Sequence, residues 1–272
     1  MSEVPSRPKV MGVVNVTPDS FSDGGKFLSA QSVIEHALRL VDEGADLLDI
    51  GAESTRPRAK PVSETEELER LIPVIEAVHA RSEAPISVDT MKPAVARAAI
   101  AAGAAIWNDI TALSWSNDSL QTAASLGCGV ILMHMQGEPA TMQDDPRYDD
   151  VLAEVTDFLR QRAQAAEAAG VARSEIWLDP GIGFGKTLAH NLTLIGRLKS
   201  IVDLGYPVVL GVSRKGFIRA IDAGAERAED RLAGSLTAAL SGASAGAAVL
   251  RVHDVRETVQ ALKVHQAIEA AR

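Results

Sequence analysis

A single cysteine in 272 residues leaves no partner for an intramolecular disulfide, so Cys128, set in an apolar run, contributes no staple and suits a reducing compartment. No stretch of about 18 uninterrupted apolar residues could span a bilayer. The opening MSEVPSRPKV also lacks the apolar core of a secretory signal. These absences predict a cytoplasmic protein that does not engage a membrane. Positive charge is in deficit, with 27 Lys and Arg against 36 Asp and Glu, a net charge of −9. Phosphate neutralisation needs a basic surface, so general nucleic-acid binding is excluded, and any anionic ligand must meet a local cluster of cations. His36, His79, His190 and His265 show no metal-ligand spacing with one another, which argues against a catalytic zinc. No low-complexity linker or repeat of roughly 20–50 residues divides the chain.

What is present is alternation. Hydrophobic residues make up 46% and charged residues 23% of the chain, enough to bury a large core. Short apolar or β-branched runs at Val10 to Val16, Asp46 to Ala52, Pro85 to Thr90, Ala104 to Ile110, Gly129 to Met135, Ile176 to Ile182, Pro207 to Ser213 and Gly246 to His253 read as strands. Between them, segments of helical period include Ser29 to Glu43, Glu64 to Ala80, Lys92 to Ala102, Asp149 to Ala169, Leu188 to Val202 and Asp230 to Ala243. Gly44, Gly103, Gly127, Gly170 and Gly205 each follow a helical segment and suit the left-handed cap. Eight strands in a chain near the ~250-residue size of the fold predict an α/β protein, a single (β/α)8 TIM barrel over residues 1–272.

Each strand-like run ends in polar or glycine residues that a structural strand does not need: Asn15, Asp49 with Glu53, Asp89, Asn108 with Asp109, His134, Asp179, Ser213, and Arg251 with His253. Any one alone is an ordinary cap or turn residue. Eight at matching positions converge at the C-terminal mouth of a barrel, where active sites are built. Cations gather after strands seven and eight, at Ser213-Arg214-Lys215 and Arg251-Val252-His253, where barrels commonly hold phosphate; Arg214 reads best as solvated, and strand alternation gives Arg251 and His253 one facing. The segment DPGIGFGKT, 179–187, lacks the interval of a Walker loop. It reads instead as a barrel loop whose glycines let backbone approach a flat ligand while Asp179 offers two acceptors. The polar, Pro- and Gly-containing loops Asn15 to Lys26 and Glu53 to Pro61 are candidate lids.

At these residues the chain resembles the dihydropteroate synthases. The matching stretches are MGVVNVTPDSFSDGG (11–25), DIGAESTRP (49–57), ISVDT (86–90), NDI (108–110), LMHMQGEPATMQ (132–143), DPGIGFGKT (179–187), GVSRK (211–215) and RVHDV (251–255). The resemblance implies an enzyme that joins a pterin methyl pyrophosphate to p-aminobenzoate and releases pyrophosphate with Mg2+, in folate biosynthesis, from a homodimer. It implies that Asp89, Asn108, Asp179 and Lys215 hold the pterin, with Met133, Gly183 and Phe184 shaping its slot. Asn15, Arg251 and His253 would hold pyrophosphate, Asn15 together with the metal. Phe21, Thr55, Pro57, Ser213 and Lys215 would form the p-aminobenzoate subsite, supported by Asp23, Ser54 and Arg56; Asp89, Lys215, Arg251 and His253 would carry the catalysis. The chain departs from the family pattern at Ala52 and Arg58, where glycine is frequent, and at Gly216, where a bulkier residue is frequent. Two alternatives remain at this point: a pterin-binding barrel that transfers a methyl group, which would not need Asn15 or Arg251 as an anion grip, and a catalytically silent scaffold.

Overall fold

A computed structural model describes residues 7–16, 26–54 and 61–271. Eight parallel strands form β1 (Lys9–Asn15), β2 (Leu47–Gly51), β3 (Ile86–Asp89), β4 (Ile106–Asp109), β5 (Gly129–Met133), β6 (Ile176–Asp179), β7 (Val209–Leu210) and β8 (Val249–Val252). They neighbour one another in the order β6-β5-β4-β3-β2-β1-β8-β7, and a bridge between Leu178 and Val208 joins the two ends into a closed barrel. All eight predicted strands are present, seven of them trimmed at one or both ends and β1 shifted one residue toward the N-terminus. The largest trimming is at β7, where Val208 is still bridged to Leu178 and the chain leaves the sheet from Gly211 onward.

Helices pack around the outside: α1 (Lys26–Asp42), α2 (Glu64–His79), α3 (Pro93–Ala101), α4 (Ser119–Leu126), α5 (Val151–Ala169), α6 (Leu188–Gly196), α7 (Lys199–Val202), α8 (Gly216–Ile221), α9 (Leu232–Ser244) and α10 (Val255–Ala270). The predicted helix over 188–202 is two, interrupted at Arg197 and Leu198. The five expected cap glycines all have positive φ, the conformation that costs a glycine least. A continuous apolar shell fills the space between strands and helices, with Leu40, Val74, Val95, Leu159 and Leu194 facing the outward residues of the strands.

Inside the barrel, strand periodicity sets a layered interior. Leu47, Ile106, Ile131, Val209 and Val249 close the barrel with a dry plug, together with Met11. Two residues farther along the same five strands, on the same face, stand Asp49, Asn108, Met133, Gly211 and Arg251. The plug therefore serves as the floor of a polar layer at the C-terminal mouth.

Candidate active site

The polar layer surrounds a narrow cleft, with about 30 Å3 of free space, lined by Asp89, Asn108, Met133, Asp179, Phe184 and Lys215 among others, with Arg251 and Gly211 at its side. Every residue that the sequence assigned to the pterin is thus at one place, except that Gly183 meets the cleft through Lys215: a Cβ at Gly183 would lie 3.4 Å from Lys215 Cδ. Lys215 Nζ sits 4.3 Å from the centroid of the Phe184 ring, a cation over an aromatic face.

The charges of the cleft are arranged around Arg251. Its Nε donates to Asp49 Oδ2 at 2.6 Å and its Nη2 to Asp89 Oδ2 at 2.9 Å. Asp49, wholly buried, also accepts from Asn108 Nδ2 at 3.3 and 3.2 Å. Asp49 is therefore the site residue that strand-end reading noticed and did not place: it orients both Arg251 and Asn108 within the layer. Burial, reinforced by the charge of Asp49 and opposed by Arg251, pushes the Asp89 carboxyl up to about 7. Burial and then Arg251 hold Lys215 down at about 8, with Asp179 and Asp89 acting the other way. A layer with three carboxylates and two cations can thus carry a proton on Asp89 near neutral pH.

Asp179 departs from expectation in one respect. Its Oδ1 accepts from the Gly181 N–H at 2.7 Å, so only part of the carboxylate is offered to the cleft, and burial raises its pKa. Gly181 and Gly185 of this loop approach protein: at Gly181, with φ of 65°, a Cβ would come within 1.9 Å of the His134 carbonyl oxygen. Gly181→Ala is expected to break the seating of this loop on β5, lowering Tm and pterin affinity together; thermal unfolding and equilibrium pterin binding check it, and a native Tm with native affinity would refute the close approach as a requirement. Gln143 and Tyr148 fasten the same loop through the carbonyls of Gly183 and Gly185.

At the anion corner, His253 Nδ1 lies 3.1 Å from Ser213 Oγ, and the His253 N–H donates to the same hydroxyl at 3.2 Å. Burial, then the charges of Arg251 and Arg214, push the His253 imidazole down to about 3, so it is neutral before an anion arrives. Ser213 is tied into this corner through His253. Arg214 turns away and pairs with Asp254, its Nε donating to Oδ2 at 3.0 Å. It is a bound ion pair, not the solvated side chain expected. Asn15 ends β1 with its side chain exposed, four residues beyond Met11, the register partner of Arg251. Among the described residues no three His, Cys, Asp or Glu side chains converge to hold a metal. A lone amide oxygen fits Mg2+ that arrives with phosphate oxygens and keeps its waters, rather than a caged ion.

Three polar strand ends serve the fold and not the cleft. His134 points behind the loop, with Lys186 Nζ at 2.9 Å from its Nδ1. Asp109 anchors the turn after β4. Glu53 shares Lys92 with the buried Glu67 at 2.5 and 2.6 Å, and accepts from the Val62 N–H at 3.1 Å. Cys128 is buried and its thiol is pushed up to about 11, an inert core residue as expected. Ala52 is buried without a positive φ, so the departure from glycine there is accommodated. Phe21, Asp23, Thr55, Arg56, Pro57 and Arg58 lie outside the described residues; Ser54 is inside them, half-buried at the end of β2.

Comparison with known proteins agrees with this geometry. A family model described as pterin binding enzyme matches residues 11–253. The dihydropteroate synthase of Escherichia coli K12 is 48% identical over 268 residues, covering 98% of this chain and 94% of the relative. A Xanthomonas albilineans dihydropteroate synthase solved with 4-aminobenzoic acid superposes with a TM-score of 0.91 at 52% identity, covering 97% of this chain and 94% of that one. One from the same organism in complex with 7,8-dihydropteroate gives a TM-score of 0.88 at 49% identity, covering 97% and 95% of the two chains.

Proposed function

The chain belongs to the pterin binding enzymes, as a dihydropteroate synthase, and from that premise we propose that it condenses 6-hydroxymethyl-7,8-dihydropterin pyrophosphate with p-aminobenzoate by a dissociative substitution. The observation that carries the reading is the convergence of Asp89, Asn108, Asp179, Lys215 and Arg251 on one cleft above a dry plug. A flat heterocycle with an amino-imide edge satisfies that set. Asp179 and Asn108 meet its donors and acceptors, Lys215 donates to its carbonyl side, and Phe184 and Met133 cover its apolar faces.

Arg251 and His253 stand at the end of the cleft where the pyrophosphate would leave. Donors already fixed in place stabilise charge that develops on a leaving group without reorganising as it forms. The carbon–oxygen bond breaks toward that corner, and the positive charge left at the pterin methylene is favoured by the nearby carboxylates. The arylamine is neutral at pH 7 and attacks without a base, its proton passing to solvent or to a carboxylate such as Asp89. No enzyme nucleophile is needed. Mg2+, held by Asn15 and the phosphate oxygens, would neutralise charge on pyrophosphate when bound. A homodimer that works in the cytoplasm, and sensitivity to sulfonamides, belong to the same reading. Among the described residues no helix is long and apolar enough to cross a membrane.

The test is a coupled assay with the pterin pyrophosphate, p-aminobenzoate and Mg2+. Stoichiometric pyrophosphate and dihydropteroate are expected. Methyl transfer to a corrinoid acceptor without pyrophosphate release, or pterin binding without turnover, would overturn it.

A further inference from the structure

The turn after β4 is held in a conformation its residues resist. Ala112 and Leu113 have φ of 52° and 61°, two successive non-glycine residues in the left-handed region, where Cβ crowds the following carbonyl. Turns with positive φ at both central positions normally carry Asn, Asp or Gly. Here an Ala-Leu pair occupies the turn, closed by the Ser114 N–H donating to Thr111 O at 3.2 Å. Its two side chains are buried, so apolar packing offsets part of the strain and rules out a glycine at Leu113 without a cavity.

Two charged groups grip the turn from opposite sides. Asp109 accepts from the Thr111 N–H at 2.7 Å through Oδ1 and from the Leu113 N–H at 2.9 Å through Oδ2. From α5, some fifty positions away in sequence, Arg162 donates Nε to Ala112 O at 2.8 Å and Nη2 to Leu113 O at 2.9 Å. A planar fork that captures two consecutive carbonyls fixes the direction of both peptide planes, which a lysine cannot do. The grip acts one residue from the cleft. Ile110, between Asp109 and the turn, lines the cleft and packs with Met91 and Met133; Asn108 stands immediately before Asp109.

We propose that Arg162 is a positioning residue for the pterin slot, holding the strained turn so that Ile110 and Asn108 keep their places in the cleft. Strain that persists only because neighbouring groups over-determine it is characteristic of functional sites, and no other non-glycine pair of consecutive left-handed residues occurs among the described residues. The inference rests on the pterin reading of the cleft.

The experiment uses the full chain and measures equilibrium pterin binding, steady-state KM and kcat for the pterin pyrophosphate, and Tm. Wild type is measured first, so that failure of the pterin reading appears there and not in the variants. Arg162→Met is expected to weaken pterin binding by about tenfold and to raise KM for the pterin more than it lowers kcat. Arg162→Lys should fall between the two. The decisive variant is Arg162→Met combined with Ala112→Gly, which removes the strain at one position for the loss of a single methyl: affinity is expected to return to within about threefold of wild type. If Arg162→Met fails to fold, the comparison of Arg162→Lys with and without Ala112→Gly carries the same test. Native pterin affinity in the arginine variant, or a loss that Ala112→Gly leaves unchanged, overturns the proposal.

Discussion

Asp179→Asn is expected to fold, to keep its loop, and to lose pterin binding. The distinction depends on the two oxygens of one carboxylate. Oδ1 receives the Gly181 N–H at 2.7 Å and holds the turn at the start of the β6–α6 loop; asparagine supplies the same acceptor. The other oxygen faces the cleft, where an amide nitrogen would bring a donor against ligand donors. A buried ligand group left unpaired costs roughly 1–3 kcal/mol, or about 5- to 160-fold in affinity. Asp179→Ala goes further, because the Gly181 N–H then loses its partner in a buried place and the loop carrying Gly183 and Phe184 loosens. Alanine should therefore lower Tm as well as affinity, and asparagine affinity alone. Calorimetric titration with a pterin, beside thermal unfolding, separates them. Near-native affinity in folded Asp179→Asn would remove Asp179 from the pterin site.

That two-part role shows where sequence reading reaches and where it stops. The eight strands were legible because a strand buried on both faces must be a short apolar run, and because a glycine after most of the preceding helices marks the restart. The barrel followed from the count, and the mouth from the rule that polar residues at strand ends gather there. Facing was legible where alternation could be counted from a known inward residue, as from Arg251 to His253. It was not applied at Asp109 and His134, which are odd steps from Asn108 and Met133 and so turn outward to anchor turns. The helix α10 carries Val255, Val259 and Leu262 at helical spacing, all buried, a signal that was there to use. Arg162 gave no signal at all: it is one of two arginines on α5, and its role depends on where a turn fifty positions earlier comes to lie. The hold of Asp49 on Arg251 spans 202 positions and depends on β1 lying between β2 and β8, which only the closed barrel supplies.

Arg251→Met is expected to cost more than an anion grip, and its cost should grow with pH. The guanidinium is the shared counter-ion of two carboxylates, one of them wholly buried, and removing one partner of a buried pair costs about 3–5 kcal/mol because the other charge is stranded. This adds to the pyrophosphate-holding role that the resemblance implies for Arg251, because its ion pairs also organise the pterin layer. Asp49 would lose the partner that holds it where it accepts from Asn108, so pterin affinity should fall together with turnover. The pH sign follows from Asp89, whose folded pKa of about 7 lies above the ~3.9 of an unfolded aspartate. A raised acid pKa gives stability that is complete below the unfolded value and lost as pH rises through the folded one. Arg251 opposes that rise, so without it the folded pKa climbs higher and the loss continues above pH 7. Near pH 5.5 Asp89 is protonated in both proteins, and the variant's deficit through this group vanishes; at pH 8 native Asp89 is ionised beside a guanidinium and the variant's has none. The gap in Tm between wild type and Arg251→Met should therefore widen from pH 5.5 to pH 8, and Asp49→Asn in the same chain should narrow it at both. Arg251→Lys keeps the charge but not the fork, and should lose turnover while retaining most of the Tm. A gap in Tm that stays constant across that range, and that Asp49→Asn does not narrow, would show that Arg251 is not the counter-ion around which the cleft is assembled.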